Sequence, residues 1–258
     1  MLVAESLKFR GPLALGTVGL AGAGEGPAVP RSYGRRGAGD QMRAWTFVLA
    51  AVLFCGVLSG AHSPARSAEG PVRIVALGDS LTAGFGLPGA AAFPVRLERA
   101  LTAKGLAVLI SNAGVSGDTM SDGLARLDWS VPEGTQAVIL ELGANDMLRG
   151  LDPRLTRKAL EEILRRLGER HIEVLVCGML AAPNLGTDFV QAFNGMFPEL
   201  AASRHLLLYP FFLDGVLEDR RLVQPDGLHP TAAGVDVIVA GVLPKAAELV
   251  ARVRQRAD

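Results

Sequence analysis

The feature that most constrains the fold of this chain is a series of short apolar runs that alternate with helix-like segments after residue 70. The runs are predicted strands at 72–77, 106–111, 137–142, 172–178 and 206–209, and the predicted helices lie at 91–104, 153–170, 187–202 and 230–254. Apolar strands separated by helices are typical of a parallel sheet that is covered on both faces. The alternation therefore predicts a single α/β domain.

The residues before this pattern differ from it in composition. Residues 1–41 are rich in Gly, Ala, Pro and Arg, so we expect a disordered segment or an upstream extension that precedes a true start at Met42. Residues 42–68 contain a positive charge, an apolar run and then small residues, which is the order of a secretory signal peptide. A membrane anchor is the alternative for the same run. The folded domain is predicted at 69–258, in the periplasm or secreted.

Composition and motif spacing exclude several classes of function. The 26 Lys and Arg residues balance the 26 Asp and Glu residues, and the predicted folded part has no basic cluster interleaved with aromatic residues that would support nucleic-acid binding. Cys55 and Cys177 lie in unlike segments and imply no disulfide framework. The GFGLPG run at 84–89 matches a dinucleotide fingerprint, but Pro88 prevents the helix that must follow it. Metal-ligand spacing is also missing, so we expect neither a metal nor a cofactor.

Four polar clusters stand just after predicted strands or just before a predicted helix. They are GDSL at 78–81, NAGVSGDT at 112–119, GAND at 143–146 and DGLHP at 226–230. The carboxyl ends of parallel strands lie along one edge of a sheet, where ligands of open α/β folds bind. The four clusters are therefore expected to meet in one site.

Ser80 and His229 are the candidates for nucleophilic chemistry at that edge. Ser80 follows a buried strand on rigid backbone, although Asp79 or Ser80 could instead only cap the next helix. His229 is the histidine that lies in a Gly- and Pro-punctuated loop, and Asp226 precedes it by three residues. That spacing lets a carboxylate bind one imidazole nitrogen while the other faces a serine. The alternative is a turn with no chemical role.

Acyl transfer also needs donors for the developing oxyanion. The candidates are the backbone N–H groups of Ser80 and Gly117 and the side-chain amide of Asn145. Glycine at 117 allows a close approach, and an asparagine amide cannot be lost to titration. Taken singly, the NAGVSGDT cluster could be only a tight loop, and the GAND cluster only a turn.

The motifs GDSL, NAGVSGDT, ELGANDMLRG and DGLHP, in this order, resemble those of the SGNH/GDSL hydrolases and are most similar to the bacterial thioesterase I, lysophospholipase and arylesterase group. The resemblance extends over about residues 73–249. It implies a three-layer α/β/α sandwich with a flavodoxin-like, five-stranded parallel sheet. It also implies a nucleophile at Ser80, a triad completed by Asp226 and His229, and an oxyanion hole formed by Ser80, Gly117 and Asn145.

We therefore predict a serine esterase that hydrolyses carboxylic ester or thioester bonds of a small-molecule substrate with an acyl chain. Candidate substrate contacts are Asp79, Met147, Leu148, Leu151 and Leu185, although such apolar residues are often only core. No nucleic-acid partner is expected, and no stable membrane partner unless the N-terminal segment is uncleaved. A sugar O-acetyl esterase of the same fold and a non-catalytic binding protein are the alternatives.

Overall fold

The computed structural model describes residues 70–257 and places a five-stranded parallel sheet at their centre. The strands are β1 (Val72–Gly78), β2 (Val108–Gly114), β3 (Ala137–Glu141), β4 (Glu173–Cys177) and β5 (Leu207–Tyr209), in the spatial order β2-β1-β3-β4-β5. This is the flavodoxin-like order, in which the chain reverses direction across the sheet between β1 and β3. The predicted sheet is confirmed.

Helices cover the two faces of the sheet. They are α1 (Ser80–Ala83), α2 (Phe93–Ala103), α3 (Met120–Ala125), α4 (Leu127–Ser130), α5 (Ala144–Leu148), α6 (Pro153–Glu169), α7 (Thr187–Ser203) and α8 (Ala232–Ala257). Helices α2 and α8 pack against each other on one face, and α3, α6 and α7 form the other layer. The three-layer α/β/α sandwich is thus confirmed, and its apolar core lies between the sheet and the two helical layers.

Three of the strands begin one or two residues later than the apolar runs predict, for one shared reason. At the ends of α2, α6 and α7, the residues in left-handed conformation are Gly105, His171 and His205, with φ of 78°, 56° and 55°. The next apolar residues are Leu106, Ile172 and Leu206, and their N–H groups donate back to Leu101, Leu167 and Ala201. This is the Schellman pattern of helix termination. The first apolar residue of each run therefore completes a helix end and is not part of the strand.

The predictions for residues 1–41 and 42–68 lie outside the described residues. Between residues 70 and 257, none of the helices is both long and apolar enough to span a bilayer.

Candidate active site

Two glycines allow the turn after β1 to pack directly on the sheet. A Cβ at Gly78 would lie 2.0 Å from Thr82 Oγ1, and a Cβ at Gly114 would lie 2.3 Å from the backbone nitrogen of Ala83. Neither distance is possible between real atoms, so α1 can sit this close only above glycine. Asp79 caps α1 through a hydrogen bond from Leu81 N–H at 3.0 Å. Ser80 is thereby fixed at the carboxyl end of β1.

The side chains of Ser80, His229 and Asp226 form a hydrogen-bonded chain. Ser80 Oγ lies 2.9 Å from His229 Nε2, and His229 Nδ1 lies 2.6 Å from Asp226 Oδ2. An ionised carboxylate only accepts hydrogen bonds, so Nδ1–H donates to Asp226, and Nε2 accepts the Ser80 hydroxyl. In this tautomer the imidazole can take the serine proton.

Asp226 is held in its ionised form by the loop that carries it. The N–H group of Leu228 at 2.9 Å, the ring of His229 and the N–H group of His229 at 3.0 Å lower the pKa of Asp226 to about 2. A negative charge at this position favours the imidazolium that forms when His229 gains a proton.

Gln224 and Phe85 fix the position of His229. The backbone N–H of Gln224 donates to the His229 carbonyl at 2.7 Å. Its side-chain amide donates to the carbonyls of Phe85 at 2.8 Å and Pro230 at 2.9 Å. The Phe85 ring lies against the imidazole, with centroids 4.5 Å apart. The loops after β1 and before α8 are thus joined beside the imidazole.

The three candidate oxyanion donors differ in their present partners. Among the described residues, the backbone N–H groups of Ser80 and Gly117 have no acceptor, and both residues line the same cavity. The Asn145 side-chain nitrogen donates to Asp79 Oδ2 at 3.1 Å and to the Asp118 carbonyl at 3.0 Å. Both neighbours are acceptors, which fixes the orientation of the amide.

Two arginines hold the loop that carries Gly117. Arg126 donates to Asp118 Oδ2 at 2.6 Å and to the carbonyl of Gly78 at 2.9 Å. Arg149 donates to the carbonyl of Gly117 at 2.7 Å. Gly117 itself has a φ of 90°, a conformation in which glycine avoids the penalty of a Cβ. The loop is therefore tied both to β1 and to the segment after α5.

Ser80 and His229 lie on the wall of a cavity of about 440 Å³. Its large apolar side chains are Leu81, Phe85, Met147, Leu148, Met179, Leu180, Phe211, Leu213, Leu217 and Leu228. Five of them, Phe85, Leu148, Leu180, Leu217 and Leu228, are each between 42% and 53% exposed. Exposed apolar side chains grouped around a cavity are typical of a groove for an apolar ligand.

The structure brings Ser80, Gly117, Asn145, Asp226 and His229 to the carboxyl edge of the sheet, as the four clusters predict. Of the candidate substrate contacts, Met147 and Leu148 line the cavity. Three other candidates do not: Asp79 is fully buried beneath the turn, Leu185 packs against the core, and Leu151 lies outside the lining. Burial removes Asp79 from the reach of a substrate.

Several residues around the site are not predicted by the sequence motifs. Phe85, Leu180, Phe211 and Leu217 come from loops whose position depends on the whole sheet, and their sequence carries no signal for it. Glu141 is different, because it is a charged residue inside the apolar run AVILEL, and that contrast was a usable signal.

Comparison with known proteins finds relatives that are named as esterases or acylhydrolases. A family model described as the GDSL-like lipase/acylhydrolase family matches residues 76–237. The esterase TesA of Pseudomonas aeruginosa is 34% identical over 172 residues, which are 66% of this chain and 86% of that protein. The thioesterase 1/protease 1/lysophospholipase L1 of Escherichia coli is 36% identical over 158 residues, 61% of this chain and 74% of that protein.

A solved structure agrees with these relatives. AlinE4, an SGNH-hydrolase family esterase, is 43% identical with a TM-score of 0.59, and the match covers 70% of this chain and 96% of AlinE4. The matched family model spans most of the described residues, including the end of β1 and all of β2 to β5. The chain therefore belongs to the GDSL-like lipase/acylhydrolase family, also called the SGNH hydrolases, and it is a hydrolase of ester bonds.

Proposed function

We propose that the chain hydrolyses carboxylic esters or thioesters of a fatty acyl chain through a covalent acyl-enzyme on Ser80. The observation that carries this proposal is the hydrogen-bonded chain from Ser80 through His229 to Asp226 at the wall of an apolar cavity. A binding protein does not need an activated serine, whereas a hydrolase that forms an acyl-enzyme needs one.

In the first half-reaction, His229 Nε2 takes the Ser80 proton while Ser80 Oγ attacks the carbonyl carbon of the substrate. The carbonyl oxygen becomes an oxyanion that accepts hydrogen bonds from the N–H groups of Ser80 and Gly117 and from the amide of Asn145. The bond to the leaving alcohol or thiol then breaks, and His229 returns the proton to the leaving group. Ser80 now carries the acyl chain as an ester.

In the second half-reaction, water replaces the alcohol or thiol. His229 removes a proton from the water as its oxygen attacks the acyl carbon, and the same donors hold the second oxyanion. Collapse of this intermediate releases the carboxylic acid and returns the proton to Ser80. Asp226 stays ionised throughout and orients the imidazole.

The lining of the cavity supports this substrate class. Its walls are mostly apolar, and the half-exposed leucines at 148, 180, 217 and 228 would be covered by an alkyl chain. A relative named as a thioesterase and lysophospholipase supports the same class of acyl substrates. A sugar O-acetyl group would leave these leucines exposed to water, which makes an acetyl substrate a poor fit.

Covalent labelling tests the nucleophile directly. We expect a fluorophosphonate to form a single adduct on Ser80 of the folded protein, located by mass spectrometry after digestion. The Ser80→Ala variant and the heat-denatured protein should form none, because only the folded chain places a base beside the serine. A folded protein that forms no adduct would contradict the role of Ser80 as an activated nucleophile.

The acyl-chain series tests the substrate class. Each methylene group that enters the cavity should raise kcat/KM about fourfold, since burial of one methylene contributes about 0.8 kcal/mol. We expect this rise for p-nitrophenyl esters beyond acetyl, ending where the chain outgrows the cavity. The Leu217→Asn variant replaces an apolar side chain by a polar one of similar size, so kcat/KM should rise less with each added methylene group. A maximum at acetyl would contradict the acyl groove and favour the O-acetyl esterase.

We also propose that residues 42–68 direct export and that the hydrolase domain is 69–258. The proposal is supported by the order of charge, apolar run and small residues within the segment. The enzyme would then act on esters in the periplasm or outside the cell.

A further inference from the structure

A buried carboxyl group that the reaction does not use lies beneath the turn of Ser80. Glu141 is the last residue of β3, and only 1% of it is exposed. Its Oε2 is 2.7 Å from the hydroxyl of Thr82, and among the described residues its Oε1 has no hydrogen-bond partner. A carboxylate in a dry site needs donors for both oxygens to be stable. The Thr82 hydroxyl and the N–H groups of Asp79 and Thr82 favour a charge on Glu141, but Oε1 lies in the dry site without a donor.

Asp79 is equally buried but is equipped for a charge. Its Oδ1 accepts from Leu81 N–H, and its Oδ2 accepts from the Asn145 amide. Burial still raises the pKa of Asp79 to about 6, with Asp118 adding to the shift and His229 opposing it. Asp79 is therefore the better site for a negative charge in this layer.

The two carboxyl groups share one dry layer and repel each other when both are ionised. Burial raises the pKa of Glu141 well above its usual range, and the charge of Asp79 adds to the effect. The neighbouring Cys177 thiol is also neutral, because burial raises its pKa. These effects favour the proton on Glu141 and the negative charge on Asp79.

We propose that Glu141 is a positioning residue of this esterase: as a neutral acid it holds the Thr82 hydroxyl and thereby fixes the turn of Asp79 and Ser80. The proposal rests on the proposed function and deepens it. Thr82 packs tightly on the sheet, because its hydroxyl occupies the space in which a Cβ of residue 78 would lie. The remaining charge stays on Asp79, which orients the amide of Asn145.

Two matched pairs of variants test the positioning role. Thr82→Val and Glu141→Leu should each lower kcat by about tenfold to a hundredfold at unchanged KM, because a displacement of about 1 Å at reacting groups has that effect. Thr82→Ser keeps the hydroxyl and should retain activity. Glu141→Gln should keep kcat within about threefold, since a neutral amide replaces a neutral acid of similar shape. Equal activity of Thr82→Val and Thr82→Ser would overturn the role of this contact.

The pH profile tests the charge of Glu141. The acid limb of the profile is the pH range in which kcat/KM falls as the solution becomes more acidic. If Glu141 is neutral, Glu141→Gln removes no charge, and this limb should lie at the same pH as in the wild type. If Glu141 is ionised, the variant loses a negative charge that raises the pKa of Asp79, and the acid limb should move to lower pH. Such a movement would overturn the proposal.

An infrared measurement separates this proposal from the proposed function. At pH 8 the wild-type protein should show the carbonyl band of a protonated carboxyl group. The band should persist in Asp79→Asn and vanish in Glu141→Gln. This readout needs no activity, so a wild-type protein that fails to hydrolyse esters but shows the band would contradict only the proposed function. A wild-type protein without the band would contradict the neutral Glu141.

Discussion

Replacing either Ser80 or His229 by alanine should lower kcat for ester hydrolysis by about a millionfold, and replacing both should lower it no further. Neither group can act without the other, because the Ser80 hydroxyl is a poor nucleophile until His229 Nε2, 2.9 Å away, accepts its proton. Their contributions are therefore not additive. The activity that remains should come from substrate binding and the oxyanion donors alone.

Single-turnover and steady-state kinetics of the two single variants and the double variant measure this effect. Ser121→Ala and His205→Ala are matched controls, because both side chains are exposed and lie outside the cavity lining. Both controls should keep wild-type rates. Losses in the single variants that multiply in the double variant would mean that Ser80 and His229 act separately and would contradict the proposed mechanism.

Asn145→Ala should lower kcat about 100-fold to 1000-fold, the usual loss for one oxyanion donor. KM should change little, because the amide is needed most when charge develops on the carbonyl oxygen. Both hydrogens of the amide are engaged in the structure, by Asp79 Oδ2 and by the Asp118 carbonyl, so the oxyanion has to replace or share one of these acceptors.

The Asn145→Asp variant is the sharper companion. It keeps the shape of the side chain but replaces the donor by an acceptor, and it adds a negative charge beside Asp79. We expect it to be at least as impaired as the alanine variant, with fold retention checked by circular dichroism. Wild-type turnover in Asn145→Ala would remove the amide from the oxyanion hole.

The sequence predicts the sheet well because β1, β3 and β4 are almost entirely buried and mostly apolar. The short helices α1 and α5 were not predictable, since four or five residues show no helical period and are not stable without tertiary contacts. Strand starts were misplaced at Leu106, Ile172 and Leu206 because helix-end packing also requires an apolar residue there.

Within the site, the sequence predicts which side chains lie near one another but not how each of them is oriented. The rule that parallel strands end at one edge predicts that the polar clusters meet there. The rule contains no information on which way a side chain points. It therefore could not predict that Asp79, expected beside the substrate, lies buried under the turn. Gln224 was missed for the same reason, since its role depends on three carbonyls brought together by the folded loops.

The hydrogen bond between Ser80 and His229 joins residues 149 positions apart, one at the first strand and one just before the last helix. Contacts of such sequence separation form late, because the entropy of closing a long loop is lost before the contact stabilises anything. A nascent chain that ends at β5 contains the serine and its backbone donors but no base. A growing chain can therefore become active only after His229 has been synthesised and has reached the carboxyl edge of the sheet.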